Sequence, residues 1–161
     1  MRLIFFALLM ASSAQAQPNV AFFGITMLDT SLQTMTLGQD PAEVARLKML
    51  EAMVVDRFQS EGYSLVDIEP AREKIDRVAN IAKCYGCDSR IALELGADYA
   101  LVGEVQKVSN LILAMNLQLR AAESGDLVRG GVVDIRGNTD DSWARGMRYI
   151  LKNRIFRKEE Q

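Results

Sequence analysis

"YALVGEVQKVSNLILAMNLQLRAAESGDLVRGGVVDIR", residues 99–136, reads as three strands separated by two short turns. Its centre carries the clearest signal. Leu111, Leu113, Met115, Leu117 and Leu119 alternate with more polar neighbours, the period of a strand with one buried face. Ser109-Asn110 and Ser124-Gly125-Asp126 supply turn residues, so strands over 99–108, 111–119 and 127–136 should form an antiparallel meander.

Upstream, the pattern changes to strands alternating with helices. Residues 19–25, "NVAFFGI", form a short apolar run suited to one buried strand. Residues 26–39 are polar and lack a period, and read as a long loop. Asp40-Pro41-Ala42-Glu43 is a helix start, with Asp40 as cap, Pro41 in the first turn and Glu43 reaching back. Val44, Leu47, Leu50, Val54 and Phe58 then make one apolar stripe. Glu61-Gly62 stops that helix, and residues 63–68 read as a second buried strand. Residues 70–83 have helical composition, and 88–95 form a short helix ended by Gly96. After the meander, Gly137-Asn138-Thr139 caps a last helix with Trp143, Met147, Ile150, Leu151 and Ile155 on its inner side. The order is β-α-β-α-β-β-β-α. Helical crossovers make the first three strands parallel, giving a single α/β (α+β) domain with a mixed five-stranded sheet packed with helices.

The first sixteen residues are of another kind. Met1-Arg2 is followed by an apolar run from Leu3 to Ala11 and then Ala14-Gln15-Ala16. This is the form of a cleavable signal peptide, too short for the roughly 20 residues of a spanning helix. The expectation is a periplasmic protein with residues 1–16 removed, one domain over 17–161, and no transmembrane segment afterwards. The 161-residue chain has 19 basic and 21 acidic residues, a balance that points to no nucleic acid partner. Histidine is absent. Imidazole-based catalytic triads and the commonest nitrogen ligand for zinc are thereby excluded.

Cys84 and Cys87 are the only cysteines. In an oxidising compartment such a pair is usually closed, and Gly86 eases the turn. A redox role is the alternative, since a helix amino terminus lowers a thiol pKa. A thioredoxin-like pair, however, should follow the first strand, and this one follows the second. Two thiolates make half a metal site, and Asp88 stands where haem attachment needs histidine. A structural disulfide is the preferred reading, with no metal and no cofactor.

Three longer stretches carry a family likeness: "VAFFGITMLDTS" (20–31), "CYGCDSRIALELGADYALVGEVQKVSNLIL" (84–113) and "VDIRGNTDDSWARGMRYILKNRI" (133–155). They resemble a family of small periplasmic proteins of unknown function, itself similar to the amino-terminal domain of TolB and to the group including CsgG. The resemblance implies an α/β module used for protein contacts in the bacterial envelope, and it brings no catalytic residue. The TolB propeller repeats and the lipid-anchored start of CsgG have no counterpart here.

Two sets of residues are candidates for binding. Asp29, Thr30 and Ser31 follow the first strand, where parallel sheets present ligands. Arg145, Arg148 and Lys152 fall at helical spacings of three and four, so they share a face that could dock an acidic partner. Asp134, Asp140 and Asp141 read as capping and dipole partners rather than acid–base catalysts. The expected function is a non-enzymatic periplasmic adaptor contacting another envelope protein. The alternatives are a thiol-disulfide or electron-transfer accessory using Cys84 and Cys87, and a small-molecule carrier using the 26–39 loop.

Overall fold

The computed structural model describes residues 17–158; the signal-peptide reading of residues 1–16 lies outside them. In chain order the elements are β1 (Asn19–Asp29), α1 (Leu32–Leu37), α2 (Pro41–Ser60), β2 (Ser64–Leu65), α3 (Arg72–Asp76), α4 (Cys87–Glu94), β3 (Tyr99–Ser109), β4 (Ile112–Ala121), β5 (Leu127–Ile135) and α5 (Asp140–Ile150), which continues into a π turn over Leu151–Ile155. The sheet runs β2-β1-β3-β4-β5. β1 is parallel to β2 and β3, and β3, β4 and β5 are antiparallel in sequence. The mixed five-stranded sheet expected from the turn spacing is present. Among the described residues no helix is long and apolar enough to cross a membrane.

Alternation in the strands divides the core between two faces. Leu101, Val105, Leu113, Met115, Leu117 and Leu119 bury under α2 and α5 with Leu50, Val54, Phe58, Trp143 and Met147. Ala100 and Val102 point the other way, into a smaller cluster with Ile75, Ile81, Ile91 and Ala92. That second layer covers only part of the sheet, and the outward β4 residues Ala114, Asn116, Gln118 and Arg120 stay half-buried.

Three local expectations are corrected. Residues 26–39 are not a loop: β1 continues to Asp29 and α1 follows, with the Ser31 hydroxyl capping it by accepting from the Thr34 N–H. The cause is a bulge between Phe22 and Ile25 in the pairing with β3, centred on Gly24 at φ +82°. One extra residue reverses the in–out alternation, so the polar residues beyond it still belong to a strand. The second strand shrinks to Ser64–Leu65, because the Asp67 carboxylate accepts from the Glu69 N–H at 3.0 Å and turns the chain away. The helix expected over 70–83 breaks into α3 and two 3-10 turns. Asn80 sits extended at the break, accepting from Ala82 N–H and donating to the buried Glu104 at 2.5 Å.

Candidate functional site

Where the parallel strands β1 and β3 end, four segments converge on one buried cation. Lys107 follows Leu101, Gly103 and Val105 on the α2-facing side of β3, and its ammonium is sealed inside. It donates to Glu43 Oε1 at 2.6 Å and lies 3.5 Å from Asp29 Oδ2. The Asn138 side-chain amide donates to the same Glu43 oxygen at 2.5 Å, and its carbonyl accepts from Trp143 Nε1 and Arg46 Nη1. Asp29 accepts in turn from Ser31 N–H at 2.8 Å and Thr34 Oγ1 at 2.5 Å. Thr30 donates its N–H and its hydroxyl to the Lys107 carbonyl.

The charges lock one another in place. Burial pushes the Asp29 carboxyl up, but hydrogen bonds from Ser31 and Thr34 and the Lys107 charge outweigh it and hold its pKa below the ordinary 3.8. Burial pushes the Lys107 ammonium down, and the Glu43 hydrogen bond and charge, then Asp29, reverse this and hold it above the ordinary 10.5. Asp29, Thr30 and Ser31 therefore do gather at the end of the parallel strands, held by internal partners. The sequence reading took Glu43 and Asn138 only as helix-start residues and did not single out Lys107. Glu43 turns inward to Lys107 instead of closing a capping box on Asp40. One signal was available: Lys107 falls in phase with Leu101 and Val105, and a lysine on a strand's buried side requires a buried acid.

Above this network several apolar side chains are exposed. Leu32, Met35 and Leu37 of α1 are 79, 79 and 77% exposed, and α1 buries none of its residues. The turn between β3 and β4 lies beside it, since Asn110 Nδ2 donates to Gln33 Oε1 at 2.5 Å. That turn exposes Val108, Leu111 and Ile112.

The remaining candidates lie elsewhere. Cys84 and Cys87 form a disulfide leading into α4, with Tyr85 fully exposed and left-handed at φ 55° beside Gly86 at φ 91°. The loop borders a groove of about 750 Å³ whose other wall includes Gln118, Arg120 and Ser124. Asp88 is buried there, 3.6 Å from Arg120 Nε. Arg145, Arg148 and Lys152 are exposed as expected, and they border two different depressions. Arg145 pairs with Asp141 at 3.0 Å and faces a depression beside β5, whereas Arg148 and Lys152 line a groove against α2. Among the described residues no group of three or more Cys, Asp or Glu side chains is placed to hold a metal ion.

Residues 18–155 match the family model DUF3280, described as "Protein of unknown function (DUF2380)". The chain belongs to this family. No curated protein matches it in sequence. Its fold is shared with solved structures at low identity. The LpoB C-terminal domain from Salmonella enterica is 16% identical, with a TM-score of 0.53 over 78% of this chain and 87% of that one. The LpoB C-terminal domain from Escherichia coli is also 16% identical, with a TM-score of 0.51 over the same shares. Lipoprotein GNA1162 from Neisseria meningitidis is 15% identical, with a TM-score of 0.50 over 76% of this chain and 82% of that one.

Proposed function

We propose that this DUF3280 member is an exported envelope module that docks another protein through the apolar end formed by α1 and the β3–β4 turn, with residues 1–16 serving as its cleaved export signal. The observation that carries the reading is the exposure of Leu32, Met35 and Leu37 on a helix that buries nothing. A six-residue helix does not hold itself together in water. Here the Ser31 cap and the Asp29–Lys107–Glu43 network fix it from below. Clustered apolar side chains on a rigid support are what interface cores are made of. The fold shared with a domain of LpoB and with lipoprotein GNA1162 supports placement in the envelope, as does the resemblance to TolB and CsgG modules.

Site-specific photo-crosslinking in cells tests this. A photoreactive residue at Met35 and, separately, at Leu111 should capture the same partner, while one at Ser124 in the opposite β4–β5 turn should not. Leu32→Asp with Met35→Asp should abolish capture from the Leu111 position and leave the melting temperature near that of the parent. Adducts that ignore the double substitution would sink the proposal.

A further inference from the structure

A second surface lies away from that end. Met53, Asp56, Arg57 and Ser60 of α2 face Arg148, Leu151 and Lys152 across a groove of about 660 Å³. A depression of about 410 Å³ shares Arg57 and Lys152 with it and adds Phe156, Arg157 and Lys158. The two make one trough. Its floor is apolar, from Met53, Leu151 and Phe156, all buried or half-buried. Its rim is cationic, and among the described residues Asp56 is the one acid lining it. Arg57 reaches Glu61 at 2.5 Å through Nη2 and lies over the Phe156 ring, but its Nε–H is buried without an acceptor among the described residues. Arg148 is 4.0 Å from its nearest acid, Asp141.

Charge and depth together define the occupant. Among the described residues five cations line the trough against one lining acid, and only Arg57 has a close acidic partner, Glu61, so the excess charge calls for an acidic ligand. The apolar floor calls for that ligand to carry an apolar stripe as well. From Met53 to Ser60 the α2 wall runs about 10 Å, two helical turns, which suits apolar side chains at i, i+3 or i+4, and i+7. A bilayer fits poorly, because the apolar atoms lie below the cations, where lipid chains would have to leave the membrane plane to reach them.

We infer that this trough binds an acidic amphipathic helix of a partner protein, with its apolar side chains on Met53, Leu151 and Phe156 and its carboxylates on the rim. The site extends the protein-docking reading to another face and uses no α1 residue, so either can fail without the other.

The test titrates the full chain with a labelled helix-forming peptide carrying Leu at i, i+3, i+4 and i+7 spacings and Glu elsewhere. A counterpart with Lys in place of Glu and vesicles of phosphatidylcholine with phosphatidylglycerol are run in parallel. The acidic peptide should bind saturably and more weakly as salt rises, and the lysine peptide should not bind. Arg148→Glu with Lys152→Glu should weaken binding about tenfold or more, and Met53→Asp should weaken it as well. Met35→Asp should bind like the parent, which separates this site from the α1 end. Absence of saturable binding, equal binding by the charge-reversed chain, or vesicle binding dependent on Arg148 and Lys152 in place of peptide binding would overturn the inference.

Discussion

Lys107 shows how one side chain can hold a surface it does not reach. Its ammonium is buried against Glu43 and close to Asp29, so removing it leaves two acids without the cation they share. The second Glu43 oxygen is already buried without a partner among the described residues. Lys107→Met should therefore cost about 3–5 kcal/mol, the usual effect of breaking a buried pair from one side. Adding Glu43→Gln, which keeps an acceptor for Asn138, should recover part of the loss in urea unfolding. Acidity should act on the same cluster. Asp29 has a lowered folded pKa, so its contribution is complete above the ordinary carboxylate value near about 4 and fades as pH falls through the lower folded value. Asp29→Asn should flatten the acid limb of the stability profile; a limb of unchanged slope would place the acid sensitivity elsewhere. Lys107 has the opposite sign. Its contribution holds below the ordinary 10.5 and fades as pH rises through the raised value.

The element that decides the exposed apolar end is β1, and its deciding feature is the bulge. Before Gly24, Val20 and Phe22 face the α2 side and Ala21 and Phe23 the other. After it, Ile25 and Met27 face α2, and Asp29 follows in that phase to meet Lys107. Gly24 has φ +82°, and a Cβ there would stand 2.9 Å from Glu51 Oε1, which also accepts the Ile25 N–H at 3.0 Å. Gly24→Ala should cost about 1–2 kcal/mol from the backbone alone and loosen the strand beyond it, with hydrogen exchange rising from Ile25 to Ser31. Faster exchange confined to β2 would contradict this account of the bulge. At the other end of the chain, α5 begins with a capping box between Thr139 and Ser142 and ends in the π turn that presents Lys152.

For the molecule as a whole, the disulfide is a local clip rather than a staple, because it closes a loop of only a few residues. Replacing both cysteines by Ser should cost about 1–2 kcal/mol in reversible unfolding and leave partner capture at Met35 unchanged. Thiol trapping in cells should find both oxidised; mixed disulfides trapped by Cys87→Ser would instead mark a redox site. Much of the architecture was legible from residue order alone. The 111–119 alternation, the turn residues on either side, the α2 stripe and the spacing of helices between early strands set element order and strand direction, because period and connection length are local properties. The residues Asp29 to Ser31 were legible only as part of a loop after the first strand, on the side where a parallel sheet presents ligands; that β1 itself runs on to Asp29 was not. Nor were their partners. Glu43 meets Lys107 across 64 residues and Asn138 across 95, and no local pattern encodes which distant side chains share a buried site. Likewise, a helical composition over 70–83 could not reveal that Asn80 would leave the helix for Glu104, and three evenly spaced cations could not reveal that only Arg148 and Lys152 overlook an apolar trough. Periodicity determined which face of each element is buried; only the packed structure decided what that face meets, because the energy of a buried charge or an exposed stripe depends on its neighbours in space.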